Sequence, residues 1–317
     1  LLMHEFELIK NYFQKLSKKS PGALNLNDDV FFDKKNKLAV SVDTYTEGSH
    51  FINFDKPELV IKKIIRSSIS DLICKGVEPK YYFISGSGNK KSFSKLNLSK
   101  ISKSLNQEQK KYKIFLSGGD TIFSNKLSFT ITSIGFAKDI VFRNKAKIND
   151  DIYVSGNLGD SYMGLLVLKK KIKLNNILNK YFINQYYMPN IQLKLTSHIK
   201  KIANTSIDIS DGLLADSFKM INNQKASYKI YLKNIPISNR LKKILYLKKL
   251  SKIKYISNGD DYQVLFTASK NKRRIIKKIS TNYRIKLTKI GLIQTVDKKS
   301  SIDDHKNREI SLKNKGY

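Results

Sequence analysis

Strand-like segments in this chain repeatedly carry a carboxylate at or near their ends, and that pattern restricts the fold more than any other feature. "LAVSVD" (38–43) alternates Leu38, Val40 and Val42 and closes on Asp43. "KIFLSGGD" (113–120) closes on Asp120, and a strand over 205–209 places Asp208 just before Ser210-Asp211-Gly212. Asp260 and Asp261 follow Gly259 and precede "YQVLF", and Asp28 and Asp29 lie in "LNLNDDVFF". Asp71 differs, since it follows Ser70 on a predicted helix. Acids that serve solubility scatter over outer faces. Acids at strand ends converge on one edge of a sheet, where ligands usually bind.

The segments between them alternate in period. Residues 3–17 carry Met3, Phe6, Ile9, Phe13 and Leu16 at helical spacing, stopped by Pro21-Gly22. Pro57 opens a helix through Leu59, Ile61, Ile64, Ile65, Ile69 and Leu72, with Gly76 as its stop. "YYFIS" (81–85) and "KIFLSGGD" predict strands separated by a polar helix around 92–110, and "LSFTITSIGFA" (127–137) predicts a long strand. A second series follows: strand 151–155, a helix from 159, a helix near 190–202, strand 205–209, a helix from 211, strands near 227–232 and 261–268, helix 270–280 and strand 285–294. Such alternation indicates an α/β or mixed α+β class. "RNKAKIND" (143–150) is the expected junction, which gives domains over 1–146 and 147–317. A polar tail follows about residue 296.

Composition removes several function classes. No run of about 18 apolar residues is present, so no membrane-spanning segment is expected. The start "LLMHEFELIKNYF" lacks the basic, apolar and small-residue parts of a signal peptide. Cys74 is the only cysteine, which excludes an internal disulfide and multi-cysteine metal sites, and a cytoplasmic setting is expected. The net charge of +34 invites a nucleic-acid reading, but only seven of the 60 basic residues are Arg, the side chain that reads phosphates and bases best. Lys spread along the chain with Asn and Ile reads instead as a solvated surface, without a dedicated nucleic-acid partner.

Each acid has a plain structural reading when taken singly. Asp211 before "GLLAD" would cap a helix, Asp216 would be solvated or a local partner, and "GGD" and Asp29 would be turns. His50, after Gly48-Ser49, is the one His near these motifs and would be structural on its own. Together they imply more. Several carboxylates in one place repel unless cations lie between them. Hard oxygen ligands with little His and no Cys suit Mg²⁺, which usually comes with a nucleotide's phosphates. None of the fifteen glycines is followed by Lys, so there is no Walker A loop, and protein-kinase signatures are absent too. "SGNLGDSYMGLL" (155–166) reads either as an anion cradle at a helix start or as a tight βα turn.

The order of "VDTYTEGSHF", "SSISDLICKGVEP", "LSGGDT", "SIGFAKDIVFRNKAKINDDIYVSGNLGDSYMGL", "SIDISDGLLAD" and "NGDDYQVLFTA" resembles that of the thiamine-monophosphate kinases. These belong to a superfamily with aminoimidazole ribonucleotide synthetase and selenophosphate synthetase. The resemblance covers almost the whole chain. It implies a two-domain α/β (mixed α+β) fold, with N-terminal sheets closing a barrel across a homodimer. It implies transfer of phosphate from ATP, as co-substrate, to thiamine monophosphate. It also implies that Asp29, Ser41, Asp43, Asp71, Asp120, Asp208 and Asp211 hold several Mg²⁺ ions. By the same resemblance Gly119, Asp120, Arg143 and Ser210 contact ATP, and His50, Asp260 and Tyr317 contact the substrate. The family's "GDD" reads Asn27-Asp28-Asp29 here, and Asp260 stands one methylene shorter than the family's Glu. Selenophosphate synthetase is the nearest alternative. It uses a reactive Cys in an N-terminal Gly-rich segment, whereas Cys74 follows the "SDL" motif and reads as a packing residue. A basic nucleic-acid-binding protein is the non-enzymatic alternative.

Overall fold

The computed structural model describes residues 5–304. Its first sheet contains β1 (Phe31–Asp33), β2 (Leu38–Thr46), β3 (Glu78–Gly88), β4 (Phe115–Phe123) and β5 (Ser128–Phe136), in the order β1-β2-β5-β3-β4. β3 and β4 run parallel, and the other neighbours are antiparallel. The sheet is open, with β1 and β4 as its edges. Period-two alternation sorts its faces: Ala39, Ser41 and Tyr45 of β2 are buried, while Val42 and Thr44 are exposed. Phe129, Ile131 and Ser133 of β5 continue the buried face.

That face packs against the helix Pro57–Cys74, the spine of this half. Pro57 presets the first turn, and Val60, Ile61, Ile64, Ile65, Ile69, Leu72 and Ile73 are buried along it. A second helix, Lys95–Tyr112, lies against the first; Ser94 caps it by accepting the Asn97 N–H. Arg66 fixes this contact. Its Nε and Nη2 donate to Glu108 Oε2 and Oε1 at 2.8 and 3.0 Å, and its Nη1 donates to the Pro189 carbonyl at 3.2 Å.

The second sheet contains β6 (Asp151–Ser155), β7 (Thr205–Asp208), β8 (Ala226–Tyr231), β9 (Val264–Ala268), β10 (Leu287–Thr295) and β11 (Ser301–Asp303). Their order is β11-β8-β10-β6-β9-β7. Helices cover both sides. Leu213–Ile221 packs on Ile152, Val154, Ile207 and Leu265, while Thr196–Ile202 and Arg273–Tyr283 pack on Tyr153, Val264 and Phe266. Burial on both faces explains why every residue of β6, β7 and β9 is buried although the pairing is antiparallel.

The two sheets are held by shared side chains and by the segment 137–150, which contains no helix or strand. Val141 N–H donates to the Lys75 carbonyl at 3.0 Å, and Asn144 N–H to the Met220 carbonyl at 2.9 Å. Leu165, Tyr186, Tyr187 and Tyr262, from the later part of the chain, lie in the core built around Pro57–Cys74. Among the described residues no helix is long and apolar enough to cross a membrane.

Some elements differ from expectation. Residues 5–19 form a broken run of α, π and 3₁₀ turns rather than one helix. The helices Asn176–Tyr187 and Asn239–Leu247 were hidden by Asn- and Lys-rich sequence, yet Asn175 and Ser238 cap them by accepting N–H groups three residues on. The helix expected near 190–202 begins as a 3₁₀ turn at Leu193 and is α-helical only over Thr196–Ile202. The strand expected over 261–268 starts at Val264, because Asp260 and Tyr262 adopt φ of +66° and +48°.

The Arg66–Glu108 pair is buried on both sides, at 6% and 2% exposure. Glu108→Ala should therefore destabilise the protein by about 3–5 kcal/mol by leaving a guanidinium uncompensated. Urea unfolding checks this, and a loss below about 1 kcal/mol would contradict the role given to the pair.

Candidate active site

Four groups of charged side chains meet where the spine helix faces β7. The central one contains Ser41 and Asp43 of β2, Asp71 on the last turn of Pro57–Cys74, and Asp208 at the end of β7. β2 runs on to Thr46, so Asp43 sits inside the strand rather than at its end. Ser41 Oγ donates to Asp71 Oδ2 at 2.6 Å. Burial and then the charge of Asp208 push the Asp43 carboxyl up to about 7, against the pull of the Tyr45 and Ser41 hydroxyls. Burial, followed by the charges of Asp43 and Asp208, holds Asp71 well above the usual carboxylate range. Burial also raises Asp208, although the Ser70 hydroxyl, Lys75 and Arg143 oppose it. The structure thus brings together Ser41, Asp43, Asp71 and Asp208.

The second group surrounds Asp28 and Asp29. Lys75 Nζ lies 2.8 Å from Asp28 Oδ1 and 2.7 Å from Asp29 Oδ2. Arg143 Nε donates to Asp29 Oδ2 at 3.1 Å, its Nη2 contacts Asp29 Oδ1, and its backbone N–H donates to Asp28 Oδ2 at 2.9 Å. Asp29 and Arg143, expected on a metal and on ATP, are therefore paired with each other here. A cavity of about 440 Å³ opens beside Arg143, lined also by Lys18, Asn27, Asp28 and Lys145.

In the third group Lys219 Nζ contacts Asp211 Oδ2 and lies 3.4 Å from Asp216 Oδ1. Asp216 is fully buried and accepts the N–H groups of Asp211 and Gly212, both at 3.0 Å. It is the local partner, and not the solvated acid, of the two readings open for it. In the fourth, Lys63 Nζ lies 2.7 Å from Asp260 Oδ1 and 3.6 Å above the Tyr186 ring. Tyr186 Oη donates to the His50 carbonyl at 3.1 Å, and His50 Nδ1 accepts the Thr46 N–H at 2.9 Å. Partial burial lowers the His50 pKa while Asp260 opposes it, so His50 and Asp260 share one neighbourhood. Tyr317 lies outside the described residues.

Backbone contacts fix these groups. Asp260 N–H donates to the Ser210 carbonyl and Tyr262 N–H to the Ile209 carbonyl, both at 2.8 Å. A Cβ on Gly259 would fall 1.6 Å from the Ser210 oxygen, so only glycine lets the "ISDG" and "NGDD" loops touch. Gly119 and Asp120 lie on β4, every residue of which is exposed. A Cβ on Gly119, at φ +157°, would meet the Ile84 oxygen at 1.8 Å, so strand packing requires glycine here. Asp120 Oδ1 accepts the Thr121 N–H at 2.8 Å.

The "SGNLGDS" turn is built around the protein's own carboxylate. Gly159 N–H donates to both oxygens of the buried Asp261, at 3.0 and 2.9 Å, and Asp160 accepts from Ser238 Oγ and Tyr181 Oη at 2.7 and 2.8 Å. The tight βα turn is present, with its Gly159 N–H already taken by Asp261. Asp260 and Asp261 thus divide their work, the first facing Lys63 and the second bracing the turn. Cys74 is fully buried and burial raises its pKa, the opposite of a reactive thiol's setting.

Among the described residues no three Asp, Glu, His or Cys side chains stand at metal-ligand spacing around one point. Mg²⁺ commonly takes one or two carboxylates and completes its shell with water and phosphate oxygens. Hydroxyl and carboxylate donors, buried and crowded, fit such an ion.

Comparison with known proteins gives this architecture a class. The model of the AIR synthase related protein N-terminal domain matches residues 26–137, which hold the whole first sheet and the spine helix. The chain is 34% identical to a thiamine-monophosphate kinase of Buchnera aphidicola subsp. Acyrthosiphon pisum, over 99% of this chain and 98% of that one. A Haemophilus influenzae thiamine-monophosphate kinase is 32% identical over 84% of this chain and 82% of its own. A solved structure described as AaThiL complexed with AMPPCP and TMP superposes with a TM-score of 0.85 at 27% identity, covering 100% of this chain and 99% of that one. The chain belongs to the thiamine-monophosphate kinase family.

The raised Asp43 pKa sets a pH dependence for the metal-free protein. The folded state holds this proton up to about pH 7, while the unfolded chain releases it near its ordinary value of 3.8. The resulting stability is present at low pH and is lost as pH rises through that interval, on the order of 1–4 kcal/mol. Asp43→Asn should reduce the fall in urea midpoint between pH 5 and 7.5 measured in EDTA. An unaltered slope would show that Asp43 ionises normally.

Proposed function

We propose that the protein transfers the terminal phosphoryl group of ATP to thiamine monophosphate, yielding ADP and thiamine diphosphate. The observation that carries this reading is the convergence of Asp43, Asp71 and Asp208, from the first sheet, the spine helix and the second sheet, into one set, with Asp208 buried and Asp43 and Asp71 half-buried, within a chain of this family. Ser41, Asp43, Asp71 and Asp208 would hold Mg²⁺, with Asp29, Asp120 and Asp211 completing the set. Mg²⁺, when bound, neutralises the charge on donor and acceptor phosphates.

The chain's own residues position the reactants. Arg143 would exchange part of its contact with Asp29 for a nucleotide phosphate, and Gly119, Asp120 and Ser210 would lie along the same nucleotide. His50, Asp260 and Tyr317 would hold thiamine monophosphate, with Lys63 fixing the Asp260 carboxylate. A phosphate monoester has its second pKa near 6, so the attacking oxygen is already ionised at neutral pH and needs no general base. Direct in-line transfer by orientation and electrostatics is the economical route. The buried Cys74 accords with a cytoplasmic setting.

We also infer a homodimer joined through the first sheet. Its uncovered face exposes Val42, Tyr81, Phe83, Phe115 and Phe136, and Ile122 and Phe123 are also exposed on the edge strand β4. An apolar face beside an unpaired edge invites a second copy, whose sheet would close the barrel. Light scattering at micromolar concentration should give twice the chain mass, and an active monomer would contradict this.

Formation of thiamine diphosphate from ATP and thiamine monophosphate, with thiamine as control acceptor, tests the activity. Asp71→Asn and Asp208→Asn should each lower kcat by roughly 100-fold or more and raise the Mg²⁺ needed for half-maximal rate. Their metal-free melting temperatures should hold or rise, because the cost of burying an ionisable carboxyl is removed. Near-normal turnover with an unshifted Mg²⁺ curve would rule out the proposed role of these carboxylates.

A further inference from the structure

Lys75 stands directly after the spine helix, four residues beyond Asp71, and its side chain is fully buried. Its Nζ has three oxygen neighbours: Asp28 Oδ1 at 2.8 Å, Asp29 Oδ2 at 2.7 Å and the Ser206 carbonyl at 2.8 Å. These use all three of its donors. Two carboxylates and a peptide oxygen are also the kind of donors that hold a hard cation. Asp28 and Asp29 are themselves nearly buried, at 4% and 8% side-chain exposure. Their charges therefore need a partner inside the protein. The ammonium acts beyond these contacts, since its charge favours the ionised forms of both Asp71 and Asp208. It is also pinned from behind. Val141 N–H donates to the Lys75 carbonyl at 3.0 Å, and Ser206 Oγ donates to the Cys74 carbonyl at 2.6 Å.

We propose that Lys75 is a built-in cation of this site, occupying between the Asp28–Asp29 loop and β7 a place that a divalent ion would fill if the side chain were neutral. Lys75 is thus a positioning residue. It holds Asp29 against Arg143 in the metal-free protein and lessens the dependence of the loop on bound metal. A plain tether would give the same three contacts but would leave metal affinity unchanged, and this separates the two roles. The inference extends the Mg²⁺-dependent reading given above, but its test reads stability and not turnover, so each can fail alone.

The experiment compares the full-length wild type with Lys75→Met by thermal unfolding, in EDTA and across a MgCl₂ series. In EDTA, Lys75→Met should melt on the order of 5–10 °C lower, as expected for a broken buried ion pair in a chain of this size. Saturating Mg²⁺ should then raise its melting temperature at least twice as much as it raises that of the wild type, because the ion enters between the freed carboxylates. Equal Mg²⁺-induced rises in the two proteins would overturn the proposal and leave Lys75 a tether. If Lys75→Met is insoluble, the double variant Lys75→Met, Asp28→Asn carries the test. With one facing charge removed it should fold in EDTA, and failure to do so overturns the proposal as well.

Discussion

Like charge gathered out of water is the constraint around which this molecule is arranged. Asp43, Asp71 and Asp208 arrive from a strand of the first sheet, the spine helix and a strand of the second sheet, and each raises the pKa of at least one neighbour. Left alone, such a set would take up protons or push the sheets apart. The protein answers differently at centre and rim. At the rim, ammonium and guanidinium groups sit on the acids: Lys75 and Arg143 on Asp28 and Asp29, Lys219 on Asp211, and Lys63 on Asp260. At the centre, hydroxyls of Ser41 and Tyr45 attend Asp71 and Asp43. Hydroxyls orient these carboxyls without tying them to a fixed cation, so the centre can exchange its protons for a metal ion.

This division explains the backbone between the two halves. A charge cluster shared by two sheets works only if the sheets cannot slide. The "ISDG" and "NGDD" loops touch through Gly259, and the 137–150 segment is tied to Lys75 on one side and Met220 on the other. Arg66 adds a third fastening, from Glu108 to the Pro189 carbonyl. The Arg66–Glu108 pair thus fixes the geometry apart from the acids that the proposed chemistry uses. Asp260 and Asp261 show the same split within two adjacent residues.

Much of this was legible in the sequence, and the exceptions have physical causes. The spine helix and the strands around Asp43 and Asp208 were readable because hydrophobic period and Pro/Gly punctuation agree there. The alternation of Leu38, Val40 and Val42 predicts a strand that ends at Asp43; β2 continues because pairing with β5 runs to Thr46–Ser128. Helices over Asn176–Tyr187 and Asn239–Leu247 were missed because their apolar faces are diluted by Asn and Lys, and tertiary burial of Phe182, Tyr186, Leu241 and Ile244 supplies what local pattern lacks. Lys63 and Lys75 were invisible for a different reason. In a chain with 60 Lys and Arg, one more lysine reads as surface, and only the fold reveals that these two are buried against acids. The Asp211–Lys219 contact spans eight residues, about two helical turns, and a scan for neighbouring charges passes over it.

Asp120 links the proposed site to the proposed assembly. It shares the expected role of Asp43 and Asp71 but not their surroundings, since β4 is exposed along its whole length. A carboxylate in open water binds a cation weakly, because water competes for the ion and screens its charge. The same strand presents Phe115, Leu116, Ile122 and Phe123 to solvent, at 51%, 46%, 55% and 72% exposure, on an edge with one side unpaired. Covering those side chains with a second copy would remove water from Asp120 in the same step. Loss of apolar exposure and gain of cation affinity would then be two readings of one event. On the proposed reading the open edge of the first sheet would carry part of the nucleotide site, and that part would reach its working dielectric only in the proposed dimer.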